Sequence, residues 1–526
     1  MLESIWGGVF VSENALSRCI KEARTALDDD AREPRFIRTI PRVGFKFIAG
    51  VETGRLLQST ESRTRTIAVL PFKPLVVRDR DESLEMGMAD TLILRLSRLK
   101  EIVVRSIHAV RRYADLDQDP LFAGREQQVD AVLEGSIQKG GRKLRVTARL
   151  LKVSDGSTLW MGQFDEKASD IFAVQDSISE KVAEALQTRL TRDEIARFTR
   201  RHTASAEAYQ LYAQGRHFAS RLDFKAAGRS IECFTQAVKA DPKYALAYAG
   251  IAQAFIFLAD CGAPSNDVYP RARAAAIQAL ELDDELPEAH AALGYVSMNY
   301  SWDWPEAGRR FERALELDPN NADVRHWHSM YFKWLSRFDE AVAEAKLAQS
   351  LAPLSFPVNM DLALILDLAG RREEAARQIE KTIEMYPDYG FGYFGLALIR
   401  THARQYKEAL SALQTARTLS QDFPDAAGLA GYLYAKTGRR REALKCLQEI
   451  ENRGTYVPPF LLAGIYGELE GDVRALELLE RACEDRSWHM VMLKVEPLLD
   501  PLRRHPRFKD LLQRVGFTGI RKTRGA

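Results

Sequence analysis

Six residues near the start of the chain could make the chemistry of a duplex contact. Ser17, Arg18, Lys21 and Arg24 fall on one side of a helical pattern, ENALSRCIKEARTAL. Arg38 and Arg42 lie in RFIRTIPRVGFKFIAG, just after it. Short polar side chains can reach base edges in a major groove, and long cations reach phosphates. An arginine on a hairpin beyond the helix can enter the neighbouring minor groove. The plainer reading of the same residues is a solvated helix face beside a surface hairpin. Asp28-Asp29-Asp30 between them repels phosphate and favours a turn.

A second set lies far along the chain. His326, Met330, Lys333, Trp334, Phe391, Phe394, Tyr432 and Lys436 combine aromatic anchors with charges, which suits a groove for a protein or peptide. Aromatic residues in repeat arrays also hold neighbouring helices together, and that reading stays open. Catalytic constellations are not found. Asp130 and Glu134 flank a strand and read as surface carboxylates, and Ser136 has no histidine at a telling spacing. Gly140-Gly141 reads as a turn and not a phosphate loop, because no helix follows it. His326 and His328 sit two apart, on different faces of a helix, and make no metal pair. The five cysteines show no CxxC spacing, which fits neither a disulfide framework nor a zinc site and points to a reducing compartment. The chain therefore reads as non-enzymatic, with no metal and no cofactor.

The elements that must position these residues follow from periodicity. Ser12 can cap the first helix, and Leu16, Ile20, Ala23 and Leu27 recur at helical spacing on its other side. Strands are expected at 36–40 and 45–48, closing a first module at 1–50. Residues 51–65 are polar and aperiodic, a linker. A second module, 66–192, opens with the strand IAVLPF, a helix over 84–99 and the strand IVVRS. Gly140-Gly141 and Asp155-Gly156 are favoured hairpin turns, so 132–138, 144–153 and 158–164 form a meander. An amphipathic helix over 171–190 closes it.

From about residue 205 the chain repeats. Ala307, Ala341, Ala375, Ala409 and Ala443 recur every 34 residues, each after a glutamate, and Pro319, Pro353 and Pro387 keep the same interval. This period is the tetratricopeptide signature of paired antiparallel helices. Small residues let two helices cross closely, and a proline stops the second helix. Roughly seven or eight copies fill 200–490 and stack into a superhelix whose concave face is built by the first helix of each pair. The eight aromatic and charged residues above fall on that face. A helix and tail at 491–526 are expected to cap the open end.

Length and charge agree with this division. A chain of 526 residues should hold several domains. A net charge of +2 confines any nucleic-acid contact to a local patch. No apolar run is long enough to span a membrane, and the first residues lack a secretory pattern, so a cytoplasmic protein is expected.

Two segments carry resemblances. WGGVFVSENALSRCIKEARTALDDDAREPRFIRTIPRVGFKFIA is similar to the C-terminal half of the winged-helix domain of bacterial OmpR-type response regulators and CadC-like one-component regulators. The resemblance implies that the helix reads the major groove through Ser17, Arg18, Lys21 and Arg24 while the hairpin is the wing, with Arg38 decorating it and Arg42 contacting DNA. It covers half of the family's domain. Either an upstream start codon supplies the rest, or the module is a relic. The segment 66–190 resembles the TolB-like N-terminal domain through IAVLPF, the L-E-G-S strand, the T-x-x-L-W strand and D-I-F-x-V-Q-D. That resemblance implies a compact α/β unit and brings no reaction.

The expected fold is thus multidomain α+β: a partial winged helix, a small α/β TolB-like domain, then an all-α tetratricopeptide superhelix. The expected function is a one-component transcriptional regulator. It would bind double-stranded DNA through the first module and a protein, peptide or small ligand through the repeats. The alternative is an interaction scaffold with a relic N-terminus. A third reading is a relative of the regulatory half of bacterial adenylate cyclases, but the paired metal-binding aspartates of those enzymes are missing from the motifs found. A homodimer stays open, since no heptad seam requires one.

Overall fold

The computed structural model describes residues 65–75, 80–99, 101–140, 143–167, 171–186, 202–221, 223–420, 424–452 and 456–517, and within the first module 20–21, 24–25, 29–30, 34–40 and 44–47. The chain divides into two units, Met1–Arg63 and Thr64–Ala526.

In the first unit, β1 (Ile37–Ile40) and β2 (Gly44–Phe47) pair antiparallel, with Ile37 opposite Phe47 and Arg38 opposite Lys46. Asp29 sets the start of this hairpin. Its buried carboxylate accepts from the backbone N–H groups of Arg35 (2.6 Å), Phe36 (2.9 Å) and Ile37 (2.9 Å). Burial alone would raise the Asp29 carboxyl; the three N–H donors and the nearby Arg24 outweigh it and hold it below its ordinary value. From its place in Asp28-Asp29-Asp30, this aspartate is expected in a phosphate-repelling turn. It is instead an internal acceptor.

The second unit opens with a mixed sheet. β3 (Arg65–Val69), β4 (Lys73–Pro74), α1 (Glu82–Leu96), β5 (Ile102–Val104), α2 (Pro120–Glu126), β6 (Ala131–Gly140), β7 (Lys143–Lys152), β8 (Thr158–Lys167) and α3 (Ile171–Ala185) follow in order. The strand order is β5-β3-β6-β7-β8, with β4 beside β6. β3 runs parallel to β5 and β6, and β6, β7 and β8 form the expected antiparallel meander. Alternation along β7 buries Leu144, Val146, Ala148 and Leu150 against the helices. The two flanking carboxylates are structural: Glu134 pairs with Arg149 across the sheet, and Asp130 accepts from the Thr66 backbone N–H and hydroxyl, each at 3.0 Å.

Eight antiparallel helix pairs follow among the described residues. They are α4 (Ala206–Ala219) with α5 (Phe224–Ala240), α6 (Ala245–Asp260) with α7 (Ser265–Leu282), α8 (Pro287–Val296) with α9 (Trp304–Leu317), and α10 (Ala322–Trp334) with α11 (Phe338–Leu351). Then come α12 (Phe356–Leu368) with α13 (Arg372–Met385), α14 (Gly390–His402) with α15 (Tyr406–Leu419), α16 (Pro424–Lys436) with α17 (Arg440–Glu451), and α18 (Pro459–Glu470) with α19 (Asp472–Glu484). All five alanines of the 34-residue series are fully buried, as close helix crossing requires. No helix among the described residues is long and apolar enough to cross a membrane.

The sheet and the helical array form one body. On α1, a side chain at Gly87 would stand 2.5 Å from the Cβ of Ala213 on α4, so the two helices touch backbone to side chain. Beside it, the Arg216 guanidinium grips Asp90 through Nε–Oδ2 (2.8 Å) and Nη2–Oδ1 (3.0 Å). Further along the array, buried Arg105, just after β5, donates to the Ser350 (2.9 Å) and Leu351 (2.5 Å) carbonyls at the C-terminus of α11. A cation there satisfies end carbonyls and complements the helix dipole.

The C-terminal segment packs on the last pair, where Arg507 grips both carboxylate oxygens of Glu480 on α19 (2.7 Å each), and extends beyond it. Two 3-10 turns, Trp488–Lys494 and Pro497–Arg504, lead to α20 (Pro506–Arg514). This segment reaches back to the third and fourth pairs. The Trp304 indole N–H donates to the Val515 carbonyl (2.8 Å), and Phe517 stacks on the Trp304 ring at 4.8 Å. Lys494 Nζ donates to the Leu335 carbonyl (2.7 Å). The reason is apolar: Met490, Val491, Leu493 and Phe508 are fully buried and belong to one apolar cluster with residues of the array.

Candidate ligand cavity on the inner face of the array

The first helices of successive pairs turn their side chains toward a common cavity of about 680 Å³. The size matches sites that hold small molecules. Its wall has three sources. The array supplies α6, α8, α10, α12, α14, α16 and α18; the sheet side supplies Ile93, Leu94 and Val104; the C-terminal segment supplies Trp488 and Met492. Seven of the eight residues expected on the concave face line it: His326, Met330, Lys333, Trp334, Phe391, Phe394 and Tyr432. Lys436 does not. It lies at the end of α16, where its ammonium pairs with Glu468 at 2.6 Å.

Polar ties hold the lining in place. Asp361 on α12 receives His326 Nε2 at 2.7 Å and Lys333 Nζ at 3.0 Å, both from α10. Enclosure would raise the Asp361 carboxyl, but Lys333 and His326 outweigh it and hold it well below the carboxylate range. Lys333 is 3% exposed and lies over the Trp334 ring at 4.1 Å, so its charge is already spent inside the wall. Trp334 is likewise buried. These two serve as wall, a departure from the expectation of free anchors. His328 faces away among Phe311, Tyr331 and Phe332; burial lowers it to about 4, so it is neutral. No cluster able to hold a metal ion occurs among the described residues.

Sequence reasoning missed part of the lining. Asp260, the last residue of α6, accepts from the Tyr295 hydroxyl of α8 at 2.9 Å. The Tyr295 ring packs against Trp327 of α10 at 4.8 Å. Enclosure by the array raises the Asp260 carboxyl to about 7, although Tyr295 opposes it. A signal was available. The Asp260–Tyr295 and His326–Asp361 bonds both span 35 residues, one more than the repeat, which places each pair on adjacent inner helices.

The sequence-derived DNA contacts divide. Ser17, Arg18 and Arg42 lie outside the described residues. Lys21 and Arg38 are exposed. Arg24 is a correction: its Nη2 donates to the Ile37 carbonyl (2.7 Å) and the Thr39 hydroxyl (3.1 Å), and Asp29 sits 3.8 Å from its Nε. That guanidinium fastens the helix to the hairpin and has its donors directed inward.

Comparison with known proteins gives a match to a tetratricopeptide repeat family over residues 401–455. The chain carries tetratricopeptide repeats in a mostly helical fold with a small sheet ahead of them. It is 26% identical over 45% of its length to a Rhizobium meliloti protein named "Putative adenylate cyclase 3", and covers 40% of that protein. It is 23% identical over 67% of its length to the transcriptional regulator HilA of Salmonella typhimurium, and covers 62% of it. The chain thus spans about half of these curated relatives. Among solved structures it is similar to the tetratricopeptide protein YrrB, with 23% identity, coverage of 39% of this chain and 99% of that one, and a TM-score of 0.28.

Proposed function

We propose that the chain is a transcriptional regulator whose helical array is a receptor, and that ligand or peptide occupancy of the inner cavity sets its activity. The observation that carries the reading is the cavity itself, built jointly by the repeats, the sheet unit and the returning C-terminal segment. An occupant would touch all three at once, and a ligand can shift an equilibrium only through such differential contacts. The similarity to HilA over two thirds of the chain supports a role in regulation. The resemblance of the first module to OmpR-type winged helices supports double-stranded DNA as the second partner, with exposed Lys21 and Arg38 as phosphate contacts. The sheet unit, TolB-like by its motifs, is read as the relay between them. The chain itself is read as a non-enzymatic cytoplasmic protein.

The test is selection of genomic DNA fragments by the full chain, followed by gel retardation. Specific retardation that weakens steeply with salt, and a uniform loss in the Lys21→Ala, Arg38→Ala double variant, is the expected result. A chain that retards no fragment at about 50 mM salt would remove DNA from the account. The inward commitment of Arg24 favours a second reading, in which the array is an interaction scaffold and the first module binds no DNA.

A further inference from the structure

Resting on the reading of the inner cavity as a receptor site, we propose that its ligand is a small organic cation with an aromatic body, its ammonium group seated on Asp260 beside the Tyr295 and Trp327 rings. Four observations converge on that corner.

The first is an imbalance of charge. Four other carboxylates of the lining have a cation as direct partner: Asp361 has Lys333 and His326, Asp90 has Arg216, Glu496 has His402 and Asp425 has His489, while Glu288 and Asp318 feel the charge of Arg98. Asp260 has no cation near it among the described residues. Its bond comes from the neutral Tyr295 hydroxyl, and the charge that influences it is a second carboxylate, Asp361. Its open surface lies in the lining of the cavity. A neutral or anionic occupant would leave this charge unanswered in an enclosed space, whereas a cation removes the imbalance.

The second is position. Asp260 ends the 16-residue helix α6, where the helix dipole is negative and adds to the carboxylate's attraction for a cation. The third is the ring pair. Tyr295 and Trp327 stand 4.8 Å apart, tilted by 53°, and half-buried Trp327 and Phe257 present ring surface to the cavity. Aromatic faces beside a carboxylate are the setting in which organic ammonium groups are held best. The fourth is enclosure. The sheet side and the C-terminal segment share the wall, and about 680 Å³ suits a small molecule more than a folded partner.

Calorimetric titration at about pH 8, where Asp260 is ionised, tests the assignment with three probes that share one ring system. Tryptamine is a cation, tryptophol is neutral and indole-3-propionate is an anion. Tryptamine is expected to bind the wild-type chain at least about tenfold tighter than the other two. Asp260→Asn, which keeps shape and removes charge, should erase that preference while tryptophol binds as before. Trp327→Leu should weaken tryptamine by a similar factor, which guards against a folding defect in the first variant. Tryptophol or indole-3-propionate binding the wild type as tightly as tryptamine overturns the cation and leaves the receptor reading standing. Tryptamine binding that Asp260→Asn does not change, or no saturable tryptamine binding below about 10 mM, also overturns the proposal. Gel retardation, which uses no small molecule, judges the regulatory role separately.

Discussion

Replacing Asp90 by alanine should loosen the joint between sheet and array. Asp90 is 2% exposed, and its partner Arg216 keeps a side chain only 16% exposed. Both guanidinium contacts are short, at 2.8 and 3.0 Å, and run to separate carboxylate oxygens. The alanine variant would leave the Arg216 charge enclosed, with one long contact to Gln253 at 3.5 Å. Removing one partner of such a pair costs about 3–5 kcal/mol, because the other charge has already lost its water. In a cooperative body of this size that corresponds to a fall in Tm of about 3–5 °C. Replacing both partners by apolar residues, Asp90→Leu with Arg216→Met, should recover most of the loss. Calorimetric unfolding of the single variants and the double variant reads the coupling directly. A single Asp90→Ala variant within about 0.5 kcal/mol of the wild type would refute the argument, since that is the cost of a surface change.

Two further outcomes are expected. His402 lies between Asp367 (2.5 Å) and Glu496 (3.1 Å) and ties the C-terminal segment to α14. Burial opposes its charge, but Glu496 and Asp367 raise it from 6.5 to about 10. A raised value means stability fully present below pH 6.5 and lost as pH climbs through about 10. The Tm gap between wild type and His402→Gln should therefore be wide near neutrality and close by about pH 10.5; a gap constant across that range would contradict the pairing. In the first unit, Arg24→Ala removes two donated bonds to the hairpin, worth about 1–3 kcal/mol locally. Amide exchange at Ile37–Ile40 should accelerate in that variant and stay unchanged in Lys21→Ala; equal exchange in both would return Arg24 to the surface.

Much of the scaffold could be read from the chain alone because its constraints are periodic. The 34-residue alanine series reports a steric need repeated at every crossing, and alternation between two glycine or aspartate-glycine turns fixes the meander. The concave lining followed from the same period, which is why seven of eight residues met at one cavity. The rest depended on contacts without a period. Lys436 failed because a neighbouring glutamate on the next inner helix captured it. Arg24 looked like a groove cation, yet Asp29 and the Ile37 carbonyl lay within its reach. Asp260 was passed over because a lone aspartate at a helix end has no signature until Tyr295 is brought to it from 35 residues away. The return of 488–517 onto Trp304 could not be inferred locally, since its apolar spacing fits any open helical face.

The central claim is that the inner cavity is a receptor shared by sheet, array and C-terminal segment. Amide exchange of the full chain with and without saturating tryptamine tests it most directly. The account predicts added protection in α6, α8 and α10, with α1 and the 488–494 turn protected alongside them. Protection confined to the outer helices of the pairs or to β8, or no change anywhere, would contradict it.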